Sequence, residues 1–187
     1  MAPPCTSLKG WAGLNAVINH ATWHNNFEQS VKLGRLAGAV ALKQLRAGRH
    51  FFVENPKGSE LYELPEWEEV NAHPSTVKVQ LDQCQVGLKR RLPPRLPVQK
   101  PTECWASDES LVRRLRKKLC SGKHEHAQIG GGTRRADGKM PVSVNSKETQ
   151  VWPQQFCELI AAGIQELLEL KVLQELRVTK VTPVMPE

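Results

Sequence analysis

Apolar residues recur every three or four positions in two stretches of the chain, and this spacing predicts two amphipathic helices. The first covers about residues 26–47. Gly48 follows it, and a glycine readily adopts the left-handed backbone conformation that commonly ends a helix. The second covers about residues 153–176 and lies close to the C-terminal end of the sequence. Each helix therefore has one apolar face to pack against a core.

Short apolar or alternating runs between these helices predict strands. Residues 51–53 form a continuous apolar run typical of a buried strand, and residues 77–81 alternate apolar and polar side chains. Residues 104–106 are a further strand candidate. A helix that leads directly into a short buried strand is typical of α/β domains. Glu54 and Asn55 follow the first strand, and functional groups in such folds gather at the carboxyl ends of strands.

Composition limits the class of protein. The chain has 187 residues, 40% of them hydrophobic and 24% charged, which suits one globular domain or part of a larger one. No apolar run is long enough to span a bilayer, and the N-terminal residues lack the pattern of a signal peptide. The five cysteines are odd in number and irregularly spaced, which favours a reducing compartment. We therefore expect an intracellular protein, nuclear or cytoplasmic, with no membrane partner.

Positive charge is concentrated in one segment. The net charge is +7, but residues 89–139 contain 14 Lys and Arg against five Asp and Glu, a net +9. Such a segment is what contact with a nucleic-acid backbone requires, although charge alone favours an ordinary solvated surface. Residues 119–149 are also glycine-rich and poorly periodic, which predicts a loop or partly disordered insert.

Five short motifs give the chain a recognisable order. They are Pro3-Pro4-Cys5, Glu54-Asn55-Pro56, Cys84-Gln85-Val86-Gly87, Lys100-Pro101-Thr102 with Trp105, and Pro153-x-x-Phe156. This order resembles the second half of the cytosine-5 DNA methyltransferases. It is most similar to their compact phage-type relatives and to segments of retroelement-like polyproteins. The resemblance implies an α/β class and a partial Rossmann-type methyltransferase fold that lacks the cofactor-binding first half.

The resemblance also implies a chemistry for two residues. Cys5 would be the thiolate nucleophile that adds to carbon 6 of cytosine, because a thiol is partly ionised near neutral pH and strongly nucleophilic. Glu54 would be the acid that stabilises charge on ring nitrogen 3. The base must leave the duplex to reach such a pocket, so DNA is the expected partner.

Other residues have supporting roles in this interpretation. Pro4 and Asn55 would help to bind the substrate, and Arg90 and Arg91 are weaker candidates for base or phosphate contacts. The methyl donor of the family is S-adenosylmethionine, whose glycine-rich binding turn precedes Pro-Pro-Cys. Since only Met1 and Ala2 precede that motif here, we expect no cofactor for this chain alone and no catalysis by it.

The interpretation divides the chain into three parts. Residues 1–118 form the methyltransferase-like α/β core, residues 119–149 the basic insert, and residues 150–187 a C-terminal helix that packs on the core, with its tail. The strand at 51–53 would lack its parallel neighbour, and an exposed edge invites self-association. The alternative function is a non-enzymatic nucleic-acid-binding or structural segment of a retroelement-like polyprotein.

One further group has metal-capable side chains, Cys120-x-x-x-His124-x-His126. Zinc usually requires four ligands, and Cys104 or Cys157 could complete the set only through folding. We therefore favour a polar loop with an incidental cysteine and assign no metal ligand. A small zinc-binding module stays open as a third interpretation, and it predicts stoichiometric metal in the purified protein.

Overall fold

The computed structural model describes residues 1–3, 8, 17, 19–130, 138 and 140–180. Pro4 and Cys5, to which the resemblance gives roles, lie outside the described residues. The helices and strands, in chain order, are α1 (His20–Arg46), β1 (Phe52–Pro56), α2 (Glu66–Ala72), β2 (Val77–Asp82), β3 (Pro101–Ala106), β4 (Gln128–Ile129), β5 (Ser143–Val144) and α3 (Gln154–Lys180).

Both long helices form where the periodicity predicts them. Helix α1 begins earlier than predicted because the Asn19 side chain accepts a hydrogen bond from the Thr22 amide and caps the first turn. Gly48 follows its end with a positive φ of 60°, as predicted. No helix in the described part of the chain is long and apolar enough to cross a bilayer.

The larger sheet has three strands, with β3 in the middle and antiparallel to both neighbours. Strands β1 and β2 therefore run in the same direction, and their carboxyl ends meet at one edge of the sheet. The described residues form a mixed α/β fold with a small antiparallel sheet. The predicted α/β class is confirmed at this level, whereas the Rossmann-type fold stays a prediction.

Side chains alternate between two cores along β3, as the period of a strand requires. Trp105 points to the core formed with α1 and α2, where Trp67 donates a hydrogen bond of 3.1 Å to the Gly34 carbonyl. Cys104 and Ala106 point to the opposite core, which α3 covers with Phe156 and other apolar residues. The sheet is thus held between helices on both faces.

A third, smaller core joins the segment predicted as an insert to residues 88–98. Val98 forms an isolated parallel bridge with Ala127, and both belong to a buried cluster with Leu88 and Val144. Strands β4 and β5 pair in parallel beside it. The predicted loop at 119–149 therefore contains paired backbone. Its partners are distant in sequence, so local periodicity does not reveal them.

The outer edge of β1 is lined by the first residues of the chain. The Met1 amine donates to the Phe52 carbonyl at 2.6 Å, and the Glu54 amide donates to the Met1 carbonyl at 3.0 Å. These bonds on either side of Val53 follow the pattern of parallel strands. The edge that the sequence predicts to be open is thus partly covered, and self-association through it stays a prediction.

Candidate functional site

Glu54 places a carboxylate in the interior at the carboxyl edge of the sheet. It lies in β1 opposite Cys104 of β3, and only 4% of the residue is exposed. An isolated buried carboxylate is strongly disfavoured, so it must be paired and hydrogen-bonded. The surroundings of Glu54 therefore decide what this position can do.

Three side chains from distant segments donate to the two oxygens of Glu54. Oε1 accepts from Nε2 of Gln83 at 3.1 Å and from Nζ of Lys100 at 3.4 Å. Oε2 accepts from the indole nitrogen of Trp152 at 3.0 Å. Lys100 also donates to the Thr149 carbonyl at 3.2 Å, which fixes the position of the ammonium group. The carboxylate is thus compensated by one cation and two neutral donors.

Two amides beside Glu54 have free acceptor oxygens. Gln83 is fully buried, and its Nε2 also donates to the Thr102 hydroxyl at 3.1 Å. Asn55 is 1% exposed, and its Nδ2 donates to the Pro3 carbonyl at 2.9 Å. Within the described part of the chain, Oε1 of Gln83 and Oδ1 of Asn55 accept no hydrogen bond. Unpaired buried acceptors are unfavourable, so these oxygens suit a donor group from a bound molecule.

The cysteine next to this site is unsuited to nucleophilic chemistry. Burial raises the pKa of the Cys104 thiol well above its usual value, and the nearby charge of Glu54 adds to the shift. Cys104 is therefore a neutral thiol that packs in the core. Burial also lowers the pKa of the Met1 amine, which the charge of Glu54 partly offsets.

The structure brings some predicted site residues together and separates others. Glu54 and Asn55 are adjacent and buried, and Pro3 lies against Asn55. Arg90 instead donates to the carbonyls of Ser143 at 2.9 Å and Leu92 at 3.0 Å, so it holds a loop. No described contact links Arg90 or the exposed Arg91 to Glu54.

Three partners of Glu54 have no assigned role in the sequence interpretation. Gln83 follows β2 at the same sheet edge, and polar residues at strand ends were the signal that identified Glu54 itself. Lys100 stands in a motif of the resemblance. Trp152 immediately precedes the Pro153 motif, and only folding shows that its indole reaches Glu54.

A second group of reactive side chains lies beyond the end of β2. Cys84, Cys120, His124 and His126 place one sulfur or nitrogen atom each within 4.8 Å of all the others. The fourth member is Cys84, not Cys104, which is buried in a core, or Cys157, which is exposed on α3. The sequence interpretation missed Cys84, although its place directly after a strand was a usable signal.

Asp82 brings the two cysteine segments of this group together. Its backbone amide donates to the Lys118 carbonyl at 2.9 Å, and its Oδ2 accepts from the Cys120 amide at 2.8 Å. Burial raises the pKa of the Cys84 thiol to about 11, and the neighbouring Cys120 adds to the rise. Burial lowers the pKa of His126, as does the adjacent His124.

Comparisons with known proteins do not add a family to this picture. No family model matches the chain, and no curated protein or solved structure is significantly similar to it. We therefore infer function from the motifs and from the geometry of the two side-chain groups.

Proposed function

We propose that this chain is the base-binding half of a cytosine-5 methyltransferase-like domain that acts on DNA, with Cys5 as nucleophile and Glu54 as acid. The observation that carries the proposal is the convergence on Glu54. Lys100 lies in one of the motifs that share the family's order, and Gln83 and Trp152 immediately precede two others. These three residues are far apart in sequence, yet all of them donate to this one carboxylate.

The N-terminal segment supports the proposed nucleophile. Met1 pairs with β1, and the Pro3 carbonyl accepts from the Asn55 side chain beside Glu54. Cys5 follows Pro3 by two positions in the sequence, and the proposal requires its thiol and the Glu54 carboxyl group to contact one substrate base.

The free acceptors match cytosine better than thymine. The two oxygens of Glu54 offer about four positions for hydrogen bonds, and three donors already occupy positions there. The remaining position, as a carboxylic O–H, would donate to ring nitrogen 3 of cytosine, which is an acceptor, whereas nitrogen 3 of thymine carries a hydrogen. The exocyclic amine of cytosine donates hydrogen bonds, as the free oxygen of Gln83 beside Glu54 requires. The corresponding oxygen of thymine only accepts, so it would leave the Gln83 oxygen unpaired.

The proposed step is addition of a thiol to the base. The Cys5 thiolate forms a bond to carbon 6, the electron pair of the 5,6 double bond moves into the ring, and nitrogen 3 gains negative charge. Glu54, protonated for this step, gives nitrogen 3 its proton or a strong hydrogen bond. Lys100 then stands beside the resulting carboxylate and compensates it.

The described residues do not fit S-adenosylmethionine by themselves. Within the described ranges, no strand leads through a glycine-rich turn into a helix, since β1 ends in Asn55-Pro56 and β2 leads into the 3-10 turn Gln83–Val86. The cofactor would supply the methyl group in a complete domain. We therefore propose that these residues alone bind and activate a base without methylating it.

Thiol addition can be tested without a methyl donor, on DNA that contains 5-azacytosine. Its ring nitrogen at position 5 makes carbon 6 more electrophilic. We expect a covalent protein–DNA adduct by denaturing gel and intact mass, absent in Cys5→Ser and formed roughly 100-fold more slowly or worse in Glu54→Gln. Cys157→Ser, a change at an exposed cysteine on α3, should leave the rate unchanged.

Two outcomes would overturn the proposal. One is a folded wild-type chain that forms no adduct, and the other is an adduct that forms equally in Cys5→Ser. Retained binding of unmodified DNA without any adduct would favour the non-enzymatic alternative instead. Part of the basic segment is already engaged, since Arg113 and Arg114 pair with Glu166 and Arg116 pairs with Glu109.

A further inference from the structure

We infer that Cys84, Cys120, His124 and His126 bind one divalent transition-metal ion, preferably zinc, in a closed tetrahedral site. This site is separate from the chemistry proposed for Glu54. It does not depend on that function, and either could fail without the other.

The distances within the group match those of a tetrahedral metal centre. Sγ of Cys120 lies 3.7 Å from Nε2 of His124 and 3.4 Å from Nε2 of His126. With metal–sulfur bonds of about 2.3 Å and metal–nitrogen bonds of about 2.0 Å, sulfur and nitrogen ligands at tetrahedral angles lie about 3.5 Å apart. Cys84 completes the set, because all four ligand atoms lie within 4.8 Å of one another.

Long-range hydrogen bonds fix the backbone beside Cys120 and beside His126. Oδ2 of Asp82 accepts a hydrogen bond from the Cys120 amide, and Oδ1 accepts one from Nε2 of Gln99 at 3.4 Å. On the far side of His126, the Ala127 amide donates to the Pro97 carbonyl at 2.9 Å, and Ala127 is buried in the third core. The four side chains therefore converge through long-range pairing and not through one flexible loop.

The local backbone around Cys120 also suits a metal-bound thiolate. The Gly122 amide donates to Sγ of Cys120 at 3.3 Å, and Gly122 itself has a positive φ of 72°. A metal-bound thiolate accepts hydrogen bonds of this kind from backbone amides. A side chain at position 122 would be strained in this conformation.

The donor set decides which ion fits. Two sulfurs and two imidazole nitrogens favour zinc over calcium or magnesium, which prefer oxygen ligands. Four protein ligands also leave no open position, which is the mark of a structural zinc site and not a catalytic one. The expected role of the ion is to join residues 118–127 to the end of β2.

Metal content tests the inference directly. The full chain is purified from zinc-supplemented cells and dialysed. Elemental mass spectrometry should then find one zinc ion per protein molecule. His124→Asn is the variant least expected to disturb folding, because His124 is exposed. It should weaken zinc affinity more than roughly 100-fold, which exceeds the usual effect of losing a residue that only hydrogen-bonds to a metal ligand. Cys157→Ser removes a cysteine outside the group and should retain the full zinc content.

Cobalt substitution keeps the inference falsifiable where a variant folds poorly. Cobalt added to the metal-free wild-type protein should give the visible bands of tetrahedral coordination and a thiolate charge-transfer band, both displaced by one equivalent of zinc. Absence of these bands in a folded chain would overturn the inference. So would an intact mass that shows a Cys84–Cys120 disulfide in protein purified under reducing conditions, or zinc content unchanged in His124→Asn.

Discussion

Gln83 and Cys84, the two residues that follow β2, belong to two side-chain groups that differ in burial and in charge. Gln83 donates to Glu54 inside the protein, whereas Cys84 joins Cys120 and two histidines at its half-exposed surface. The first group balances its own charge, since Lys100 lies 3.4 Å from the Glu54 carboxylate. The second group has no lysine or arginine among its members that could balance a thiolate, so a metal ion from solution would have to supply the positive charge.

This difference separates two ways of stabilising the same sheet edge. A hydrogen-bonded carboxylate contributes to stability through partners that the chain itself supplies. A group of soft ligands contributes through the free energy of metal binding, which depends on metal concentration. Removing metal should therefore change one group without changing the other.

Metal removal is expected to have the largest effect on stability. If free zinc is about 1,000-fold above its dissociation constant, binding stabilises the fold by about 4 kcal/mol. A chelator should lower the thermal midpoint of the wild-type chain and of Cys157→Ser by the same amount. In Cys84→Ser the midpoint should already be low, and the chelator should change it little. An equal chelator effect in Cys84→Ser would contradict the zinc site.

Lys100→Met tests the self-balanced group and should have an effect of similar size. Lys100 and Glu54 have side-chain exposures of only 15% and 5%, and loss of one partner leaves a buried charge alone. Such losses cost about 3–5 kcal/mol, which urea unfolding would measure. The double variant with Glu54→Gln removes both charges and should recover part of the loss. Strictly additive effects would show that the two side chains do not interact.

Trp152→Phe tests a single neutral donor to the same carboxylate. The change removes the hydrogen bond to Oε2 of Glu54 but keeps a ring beside Phe52 and Phe156. A hydrogen bond to a charged group contributes about 1.5–3 kcal/mol, so urea unfolding should show a loss in that range. Trp23→Phe is the matched control, because the Trp23 indole nitrogen donates no hydrogen bond within the described residues. Equal losses in both variants would assign the effect to ring size.

The sequence predicts the two groups unequally, and the reason is physical. Glu54 could be found because a local apolar run predicts a strand and its polar end marks a functional edge. Cys84 could not be joined to Cys120 in the same way, because their approach depends on Asp82 pairing with residues 118–120. Long-range backbone pairing leaves no periodic pattern. The same limit hid β4 and β5 inside a segment that looked like a loop.

The smallest effects are expected in residues 88–99, the segment that leaves the Cys84 turn and returns to Lys100 beside Glu54. Arg90 donates to backbone carbonyls here, whereas Arg91 is exposed. Arg90→Ala should lose about 1 kcal/mol of stability, since each such bond contributes modestly. Arg91→Ala should leave urea unfolding unchanged.

In DNA binding we expect the opposite ranking: Arg91→Ala should have the larger effect and Arg90→Ala the smaller one. If Arg91 contacts a phosphate, its loss should weaken binding to all sequences and reduce the slope of log affinity against log salt by about 1. Arg90→Ala should leave that slope unchanged, because its guanidinium is already bonded within the chain. A salt titration of binding by the two variants would measure this. Equal slopes would mean that Arg91 is an ordinary solvated residue, and that any DNA contact must come from other cations of the basic segment.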